Sequence, residues 1–223
     1  MFTTLNKEAR KFSSLRGSVI TIEGLIGIGK TTLGRAIVNY LTTIGLNARF
    51  YPEYVNEEFL KTYIMNMKKY SFSFQLFMLE KRIEIYREAQ QYAATGGIAI
   101  IDRSINGDYT FALMQHQKGF FDDEEWEVYL SILRKESIPE PHLTLYLICS
   151  PETSMRRVGK RGIQSEISGY TVEYMRELSA AYNVSMKTVQ HPLVTVDWEF
   201  DVGVDEDVVT EVLKKIKSEL LKM

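Results

Sequence analysis

Short apolar runs alternate with longer stretches of helical periodicity along most of this chain. Five runs, rich in β-branched and aliphatic residues, have the length of buried strands. They cover residues 19–22, 48–51, 97–101, 143–148 and 193–196. Strands that are apolar on both faces are typical of a parallel sheet with helices on both sides. The pattern therefore predicts an α/β fold built on a five-stranded parallel sheet.

Between and after these runs, apolar residues recur at spacings of three and four, which predicts helices. The predicted helices span residues 31–44, 57–67, 72–94, 107–116, 122–136, 151–160, 171–189 and 205–221. In such a fold, ligands bind beyond the carboxyl ends of the strands. The residues that follow each strand are therefore the first candidates for a functional site.

Length and composition narrow the class of protein. A chain of 223 residues suits one well-packed domain, which we expect at residues 18–223 after a leader without stable structure at 1–17. The net charge of −2 does not favour nucleic-acid binding. No apolar stretch reaches the ~20 residues that a membrane span requires. Cys149 is a single cysteine and cannot form an internal disulfide, so we expect the cytoplasm; basic residues near the N-terminus leave a mitochondrial location as the alternative.

The segment after the first predicted strand fits the phosphate-loop pattern G-x-x-x-x-G-K-[ST]. It supplies six candidate phosphate-binding residues, Gly24, Gly27, Gly29, Lys30, Thr31 and Thr32. The glycines would let backbone N–H groups turn toward phosphate oxygens, Lys30 would bring a positive charge, and the Thr31 hydroxyl can ligate Mg²⁺. A glycine-rich turn that fits by chance is disfavoured, because a strand precedes the segment and a helical pattern follows it.

Charged residues follow the next two strands. Glu53 comes after the second strand, and Asp102 and Arg103 come after the third. Beside a phosphate loop, an aspartate can hold Mg²⁺, an arginine can neutralise phosphoryl charge, and Glu53 could accept a proton from an attacking hydroxyl. Asp102 and Arg103 could instead form a surface ion pair or a helix cap, and Glu53 could be a solvated charge.

Two further groups of polar residues lie on predicted helices. Gln75 and Arg82 are seven residues apart and so share one helix face, a combination suited to a nucleobase edge. Taken alone, such a pair is more often a solvated face. Arg157 and Arg161 belong to a basic cluster at the end of another helix and would suit a lid that closes on phosphate, continuing into a loop at 162–169.

In this order, the motifs resemble the deoxyribonucleoside kinases of the deoxycytidine/deoxyguanosine kinase family, over nearly the whole chain from residue 19. The resemblance depends on Gly24 to Thr32, Pro52-Glu53, Phe72 to Gln75, Asp102 to Ser104, Arg157 with Arg161, and Glu173 to Met175. It implies a P-loop kinase fold with an arginine-bearing lid, and a homodimer packed through helices. The apolar residues of 122–136, among them Trp126, would suit that contact or the core.

The resemblance also implies roles for individual residues. Glu53 would be the general base for the sugar 5′-hydroxyl, and Arg103 would contact the phosphates and the 5′-oxygen. Asp102, where the family usually has Glu, would share in Mg²⁺ binding with Thr31 or in charge positioning. Arg157 and Arg161 would clamp the transferring phosphoryl group.

For the nucleoside, the resemblance makes Gln75 the reader of the base edge. Arg82 and Asp108 match an Arg–Asp pair of the members that accept cytosine and purines, which favours these bases over thymine. Glu166 would contact the sugar 3′-hydroxyl, with Tyr63 as its companion. Three residues depart from the family pattern: Leu25 replaces an Asn, Tyr54 a Pro, and Ile163 a lid arginine.

These features predict an enzyme that uses ATP and Mg²⁺ to phosphorylate the 5′-hydroxyl of a deoxyribonucleoside. One alternative is a nucleoside monophosphate kinase of the thymidylate kinase type, which shares the loop and an Asp-Arg pair. The other is a nucleotide-binding regulatory module without transferase activity. The expected partners are small molecules, with no nucleic acid and no membrane.

Overall fold

Five parallel strands form one sheet in the computed structural model, which describes residues 2–199 and 203–222. The strands are β1 (Val19–Glu23), β2 (Ala48–Tyr51), β3 (Ile98–Asp102), β4 (Leu143–Ile148) and β5 (Leu193–Asp197). Their order across the sheet is β2-β3-β1-β4-β5, so β1 lies at the centre, between β3 and β4. The five-stranded parallel sheet predicted from the apolar runs is confirmed.

Ten α-helices and one 3₁₀-helix (Ser13–Leu15) accompany the strands within the described residues. They are α1 (Phe2–Lys11), α2 (Lys30–Thr43), α3 (Glu57–Met65), α4 (Met67–Ala94), α5 (Ile105–Gln117), α6 (Asp123–Glu136), α7 (Pro151–Arg161), α8 (Gln164–Gly169), α9 (Val172–Ser185) and α10 (Glu206–Leu220). Strands β1, β3 and β4 are buried along almost their whole length because helices cover both faces of the sheet. In a sheet of this kind, a ligand site is expected beyond the carboxyl ends of the strands.

The boundary between α3 and α4 differs from the sequence prediction. Asn66 ends α3 and also caps α4, accepting a hydrogen bond from the Lys69 N–H at 3.2 Å. Side-chain capping of this kind satisfies a backbone donor that the helix leaves free. Helix α4 therefore begins five residues before the predicted start at Phe72.

The segment at 162–169 also differs, because it holds the short helix α8 rather than a loop. This helix packs on α3 so closely that a Cβ on Gly169 would lie 1.8 Å from Ile64 Cγ2. The glycines of this segment predict a loop. Its packing partner, Ile64, lies about a hundred residues away in the sequence, so no local pattern indicates the contact.

Part of the expected leader belongs to the packed domain. Phe12 and Leu15 are 2% and 0% exposed and lie in the main core, where the Phe12 ring meets Tyr40 edge-on. Their burial shows that residues 12–15 pack with the domain instead of forming an unstructured leader. Of the predicted division at 1–17 and 18–223, residues 1, 200–202 and 223 lie outside the described residues.

Candidate active site

A cavity of about 400 Å³ opens beyond the carboxyl ends of β1 and β3. That volume lies within the range of small-molecule sites. Most of the sequence-predicted site residues line it: Gly27, Gly29, Lys30, Thr31, Thr32, Glu53, Tyr63, Gln75, Arg82, Asp102, Arg103, Arg157, Arg161 and Glu166. The other two predicted residues, Gly24 and Asp108, lie behind this lining and hold it through hydrogen bonds.

The phosphate loop at one end of the cavity is shaped by its backbone. Gly27 has φ of 74°, and a Cβ there would lie 2.9 Å from Val158 Cγ2 on α7. Only glycine fits both the conformation and the space. The side chain of Leu25 is 4% exposed and packs in the main core, so this departure from the family pattern leaves the phosphate side of the loop unchanged.

Lys30 begins α2 and is buried beneath the loop. Its Nζ donates to the carbonyl oxygens of Leu25 at 3.0 Å and Gly24 at 3.4 Å. Burial, together with the nearby charge of Arg103, lowers the pKa of Lys30 to about 8. A phosphate group would stabilise the protonated form and so bind where a cation is already poised.

Thr31 and Asp102 lie side by side at the mouth of the loop. The Thr31 hydroxyl donates to Asp102 Oδ2, while Asp102 Oδ1 is buried and has no hydrogen-bond partner. An unpaired buried carboxylate oxygen next to a hydroxyl suits a hard cation such as Mg²⁺, which takes few protein ligands and completes its shell with water and phosphate. Over the part of the chain that the structure describes, no group of three or more His, Cys, Asp or Glu residues could hold a metal by itself.

The centre of the cavity contains a buried charge network. Glu53 accepts from Arg82 Nη2 and from Arg103 Nε, the latter at 3.1 Å. Burial alone would raise the pKa of Glu53, but Arg103, Arg82 and Lys30 outweigh that effect and hold the pKa at about 2. Glu53 is therefore a carboxylate at every physiological pH, and the solvated-charge interpretation of this residue is wrong.

Arg82 joins Glu53 to a second carboxylate. Its Nη1 donates to Asp108 Oδ2, and the Tyr129 hydroxyl donates to Asp108 Oδ1 at 2.8 Å. Arg82 is 8% exposed and Gln75 is 2% exposed, so the interpretation of these two residues as a solvated face is wrong; Asp108 is 0% exposed. Asp108 thus positions Arg82 from behind.

Arg103 is fixed by residues that sequence reasoning missed. It has φ of 67°, an uncommon conformation for a residue with a Cβ, and its Nη1 donates to the Tyr182 hydroxyl and to the Gly24 carbonyl at 3.3 Å. Tyr182 in turn donates to Glu23 at 2.9 Å. Glu23 is an acidic residue at the end of an apolar strand, a pattern from which a site residue can be predicted. Tyr182 lies 79 residues from Arg103, and no local pattern indicates their contact.

The Glu23 carboxylate also joins β1 to α5. It accepts from the Ser104 backbone N–H at 2.6 Å and from the Ser104 hydroxyl at 2.7 Å. Gly107 on α5 allows this approach, because a Cβ there would lie 2.3 Å from Glu23 Oε2. The interpretation of Asp102-Arg103 as a surface ion pair or helix cap is wrong, since both side chains are 3% exposed and Ser104 caps α5.

The far end of the cavity is lined by amides and aromatic rings. Gln75 on α4 is 2% exposed; its Nε2 donates to the Asp108 backbone oxygen at 3.1 Å, and its Oε1 accepts from Gln115 at 2.7 Å. The Tyr63 ring stacks on Phe74 with centroids 4.7 Å apart. Burial raises the pKa of Tyr63 to about 12, so its hydroxyl keeps its proton.

Helices α7 and α8 carry the predicted lid. Arg157 donates to the Ile28 carbonyl of the phosphate loop at 3.1 Å and to the Trp198 carbonyl at 2.9 Å. Arg161 pairs with Glu166 on α8. Ile163 is 42% exposed and does not line the cavity, so its side chain takes no place in this arrangement.

A family model described as "Deoxynucleoside kinase" matches residues 20–222. A deoxyadenosine kinase of Dictyostelium discoideum is 31% identical over 208 residues, covering 90% of this chain and 80% of the relative. A deoxyguanosine kinase of Lactobacillus johnsonii is 29% identical over 218 residues, covering 92% and 94%.

A solved structure also has this fold. It is the deoxyadenosine kinase from M. mycoides with bound dATP, which superposes with a TM-score of 0.74 at 24% identity and covers 88% of this chain and 99% of that one. The family match over residues 20–222 agrees with the cavity, which is lined by a phosphate loop, a buried carboxylate and an amide-bearing end. This chain belongs to the deoxynucleoside kinase family, phosphotransferases that act on a hydroxyl group.

Proposed function

We propose that this protein transfers the γ-phosphoryl group of ATP to the 5′-hydroxyl of a deoxyribonucleoside, with Mg²⁺. The observation that carries the proposal is the position of Glu53. It lies between the phosphate loop at one end of the cavity and the Gln75 amide at the other, ionised and held by two arginines. A sugar hydroxyl placed there would face a hydrogen-bond acceptor on one side and phosphate-binding groups on the other.

The chain's own residues supply position and charge. Glu53 accepts the 5′-hydroxyl proton and aligns the oxygen, while Arg103 and Lys30 stabilise the charge that develops on the phosphoryl oxygens. A pKa of about 2 makes Glu53 a weak base. Phosphoryl transfer passes through a loose transition state in which positioning and charge neutralisation dominate, so a weak but well-placed base is sufficient.

Thr31 and Asp102 would hold the magnesium ion. The unpaired Asp102 Oδ1 and the adjacent Thr31 hydroxyl are oxygen donors of the right kind. An ion held there would supply positive charge that neutralises the charge developing on the transferring phosphoryl group. Arg157 and Arg161 also line the cavity and would add donors to the same phosphates after leaving their present partners.

For the acceptor, we propose cytosine or purine deoxynucleosides rather than thymidine. Arg82 and Asp108 keep a polar group at the wall of the pocket, and the buried Arg82 Nε has no hydrogen-bond partner. A thymine methyl group against that donor would leave it unpaired, which is unfavourable. The Glu166 carboxylate and Tyr63 hydroxyl are the groups proposed for the sugar.

The arrangement disfavours both alternatives. A nucleoside monophosphate would bring a second phosphate next to the Glu53 carboxylate, which is like-charged and ionised. A regulatory module would have no use for an amide-lined pocket that faces a buried base. Family relatives named as deoxyadenosine and deoxyguanosine kinases support the nucleoside as acceptor.

The test is ADP release by the purified protein with ATP and Mg²⁺ and each of the four deoxynucleosides in turn. We expect ADP formation that depends on the nucleoside, with thymidine the poorest acceptor. A thymidylate-kinase type enzyme would respond to monophosphates only, and a regulatory module would give the same ADP release with and without acceptor. Either result would overturn the proposal.

A homodimer packed through α6 is a separate proposal. Tyr129 faces inward to Asp108, and Trp126 stacks on His116 with centroids 4.8 Å apart, so both are used within the chain. The exposed Val128 and the half-buried Leu130 remain for a contact between copies. Light scattering on the wild type and a Val128→Glu variant tests this: a dimer that the charge disrupts supports the α6 contact, and an unaffected state overturns it.

A further inference from the structure

A second glutamine lies beside Gln75 in the cavity and has no role in the proposal above. Gln115 on α5 is 1% exposed, lines the cavity, and donates from Nε2 to Gln75 Oε1 at 2.7 Å. Its other amide atom, Oε1, is buried without a hydrogen-bond partner. Buried acceptors are nearly always paired in native proteins, so this atom indicates a position that a ligand or a water fills.

A backbone carbonyl fixes the orientation of both amides. The Asp108 backbone oxygen can only accept, so the end of Gln75 that faces it must be the NH₂ group. The other end of Gln75 is then the oxygen, and Gln115 must present its own NH₂ group to that oxygen. Turning either amide over would set two oxygens or two NH₂ groups against each other. The free atom of Gln115 is therefore an acceptor.

This end of the cavity thus offers a defined set of unused groups. Gln115 Oε1 is a free acceptor, and Gln75 Oε1 retains a second lone pair. Arg82 Nε is a buried donor without a partner. Two acceptors and one donor at this end of the cavity complement a group with two N–H bonds that lies beside an accepting ring nitrogen.

We propose that Gln115 Oε1 accepts a hydrogen bond from the exocyclic amino group of the nucleobase. The 6-amino group of adenine and the 4-amino group of cytosine each have two N–H bonds and a neighbouring ring nitrogen that accepts. A carbonyl oxygen at that position, as in hypoxanthine or uracil, would face two acceptors. The inference rests on the proposed kinase function and narrows its acceptors to amino-bearing bases of this pattern.

The first test uses wild-type protein and substrate pairs in which an oxo group replaces the amino group and the neighbouring ring nitrogen changes from an acceptor to an N–H donor. They are deoxyadenosine against deoxyinosine, and deoxycytidine against deoxyuridine. We expect kcat/KM to favour the amino member of each pair roughly tenfold or more. A third purine, 2′-deoxynebularine, has hydrogen at position 6 and should also be poorer than deoxyadenosine. Equal kcat/KM within the pairs would overturn the inference.

The second test replaces the acceptor. Gln115→Met keeps a similar volume without polar atoms, and we expect it to reduce the amino preference about tenfold, through KM more than kcat. Met114→Leu, buried on the same helix outside the cavity, is the control and should leave the preference unchanged. An unchanged preference in Gln115→Met would mean that a water fills the position, and would overturn the inference.

The two proposals fail in different ways. If no deoxynucleoside promotes ADP release, the proposed function is wrong. If deoxynucleosides promote it but the amino and oxo members are equivalent, the kinase function stands and the role of Gln115 is wrong. Because the substrate pairs use the wild-type protein, this holds even if Gln115→Met does not fold.

Discussion

The two ends of the cavity bind by different physical means. The phosphate end is built from backbone: a loop of consecutive residues in which Gly27 adopts φ of 74° and carbonyl oxygens hold Lys30. The acceptor end is built from side chains, with Glu53, Arg82 and Asp108 contributed by separate segments. Binding at the phosphate end depends on backbone conformation, whereas binding at the acceptor end depends on the balance of buried charges.

This difference predicts how each end responds to substitution. A backbone site tolerates a changed side chain that points away, as Leu25 shows, but not an added Cβ where atoms are close. In a buried ion network every charge compensates another, so loss of one member leaves its partner buried and unpaired. Removing a side chain such as that of Lys30 at the phosphate end should therefore weaken binding without loss of stability, whereas removing a member of the buried network at the acceptor end should reduce both.

The largest effect is expected for Glu53→Gln, which keeps the shape but removes the charge. Turnover should fall by roughly 10²–10⁴-fold, because the variant cannot accept the 5′-hydroxyl proton. The affinity for ATP should change little. Glu57→Gln, an exposed glutamate four residues on, is the matched control. Steady-state kinetics and calorimetric ATP binding check this, and turnover that survives would assign the base elsewhere.

The next effect separates stability from binding. Asp108→Ala leaves Arg82 with a single carboxylate partner, Glu53, in a buried site and should lower the free energy of unfolding by about 3–5 kcal/mol. Lys30→Met should weaken ATP binding without lowering stability, because burial already disfavours the Lys30 charge and lowers its pKa to about 8. Denaturant titrations measure the free energy of unfolding of both variants, with the exposed Asp123→Ala as control. Equal losses of stability in the two variants would contradict the distinction.

A smaller effect is expected for Gly27→Ala in the phosphate loop. The strained φ and the close contact with Val158 should cost about 1–3 kcal/mol, or roughly 5–150-fold in ATP affinity. Gly45→Ala provides the comparison, since Gly45 has φ of 87° but no atom within 4 Å of the added Cβ and lies outside the cavity. The Gly45→Ala variant should lose stability and keep its ATP affinity. A loop that binds ATP normally after Gly27→Ala would refute the backbone argument.

The smallest effect is a pH dependence confined to the phosphate end. Bound phosphate favours protonated Lys30, whose pKa in the free protein is about 8. Affinity for ATP should therefore fall as pH rises above 8, by at most about tenfold per pH unit, with one proton taken up on binding. Glu53, with a pKa of about 2, should contribute nothing in this range.

Titration calorimetry from pH 7 to 10, in buffers of different ionisation enthalpy, measures both the affinity and the proton uptake. Lys30→Arg keeps its charge over the whole range, so its profile should be flat. A wild-type affinity that is constant across these pH values would contradict the assignment of the titration to Lys30.

The sheet, the phosphate loop and most of the lining of the cavity can be predicted from the sequence alone. Local patterns sufficed because each apolar run, the glycine-rich motif and each charge that follows a strand can be recognised from a few neighbouring residues. The leader, the start of α4 and the helix at Gln164–Gly169 were predicted differently, since each depends on a capping or packing partner that periodicity does not reveal.

The contacts of the charged and polar residues depend on the tertiary structure. Glu53, Arg82 and Asp108 lie on separate elements, and their burial together converts ordinary side chains into one network. Tyr182 and Gln115 had no local signal, because their partners Arg103 and Gln75 are 79 and 40 residues away. A motif records what neighbouring residues do together, whereas charge compensation and hydrogen-bond direction depend on which distant residues the fold brings into contact.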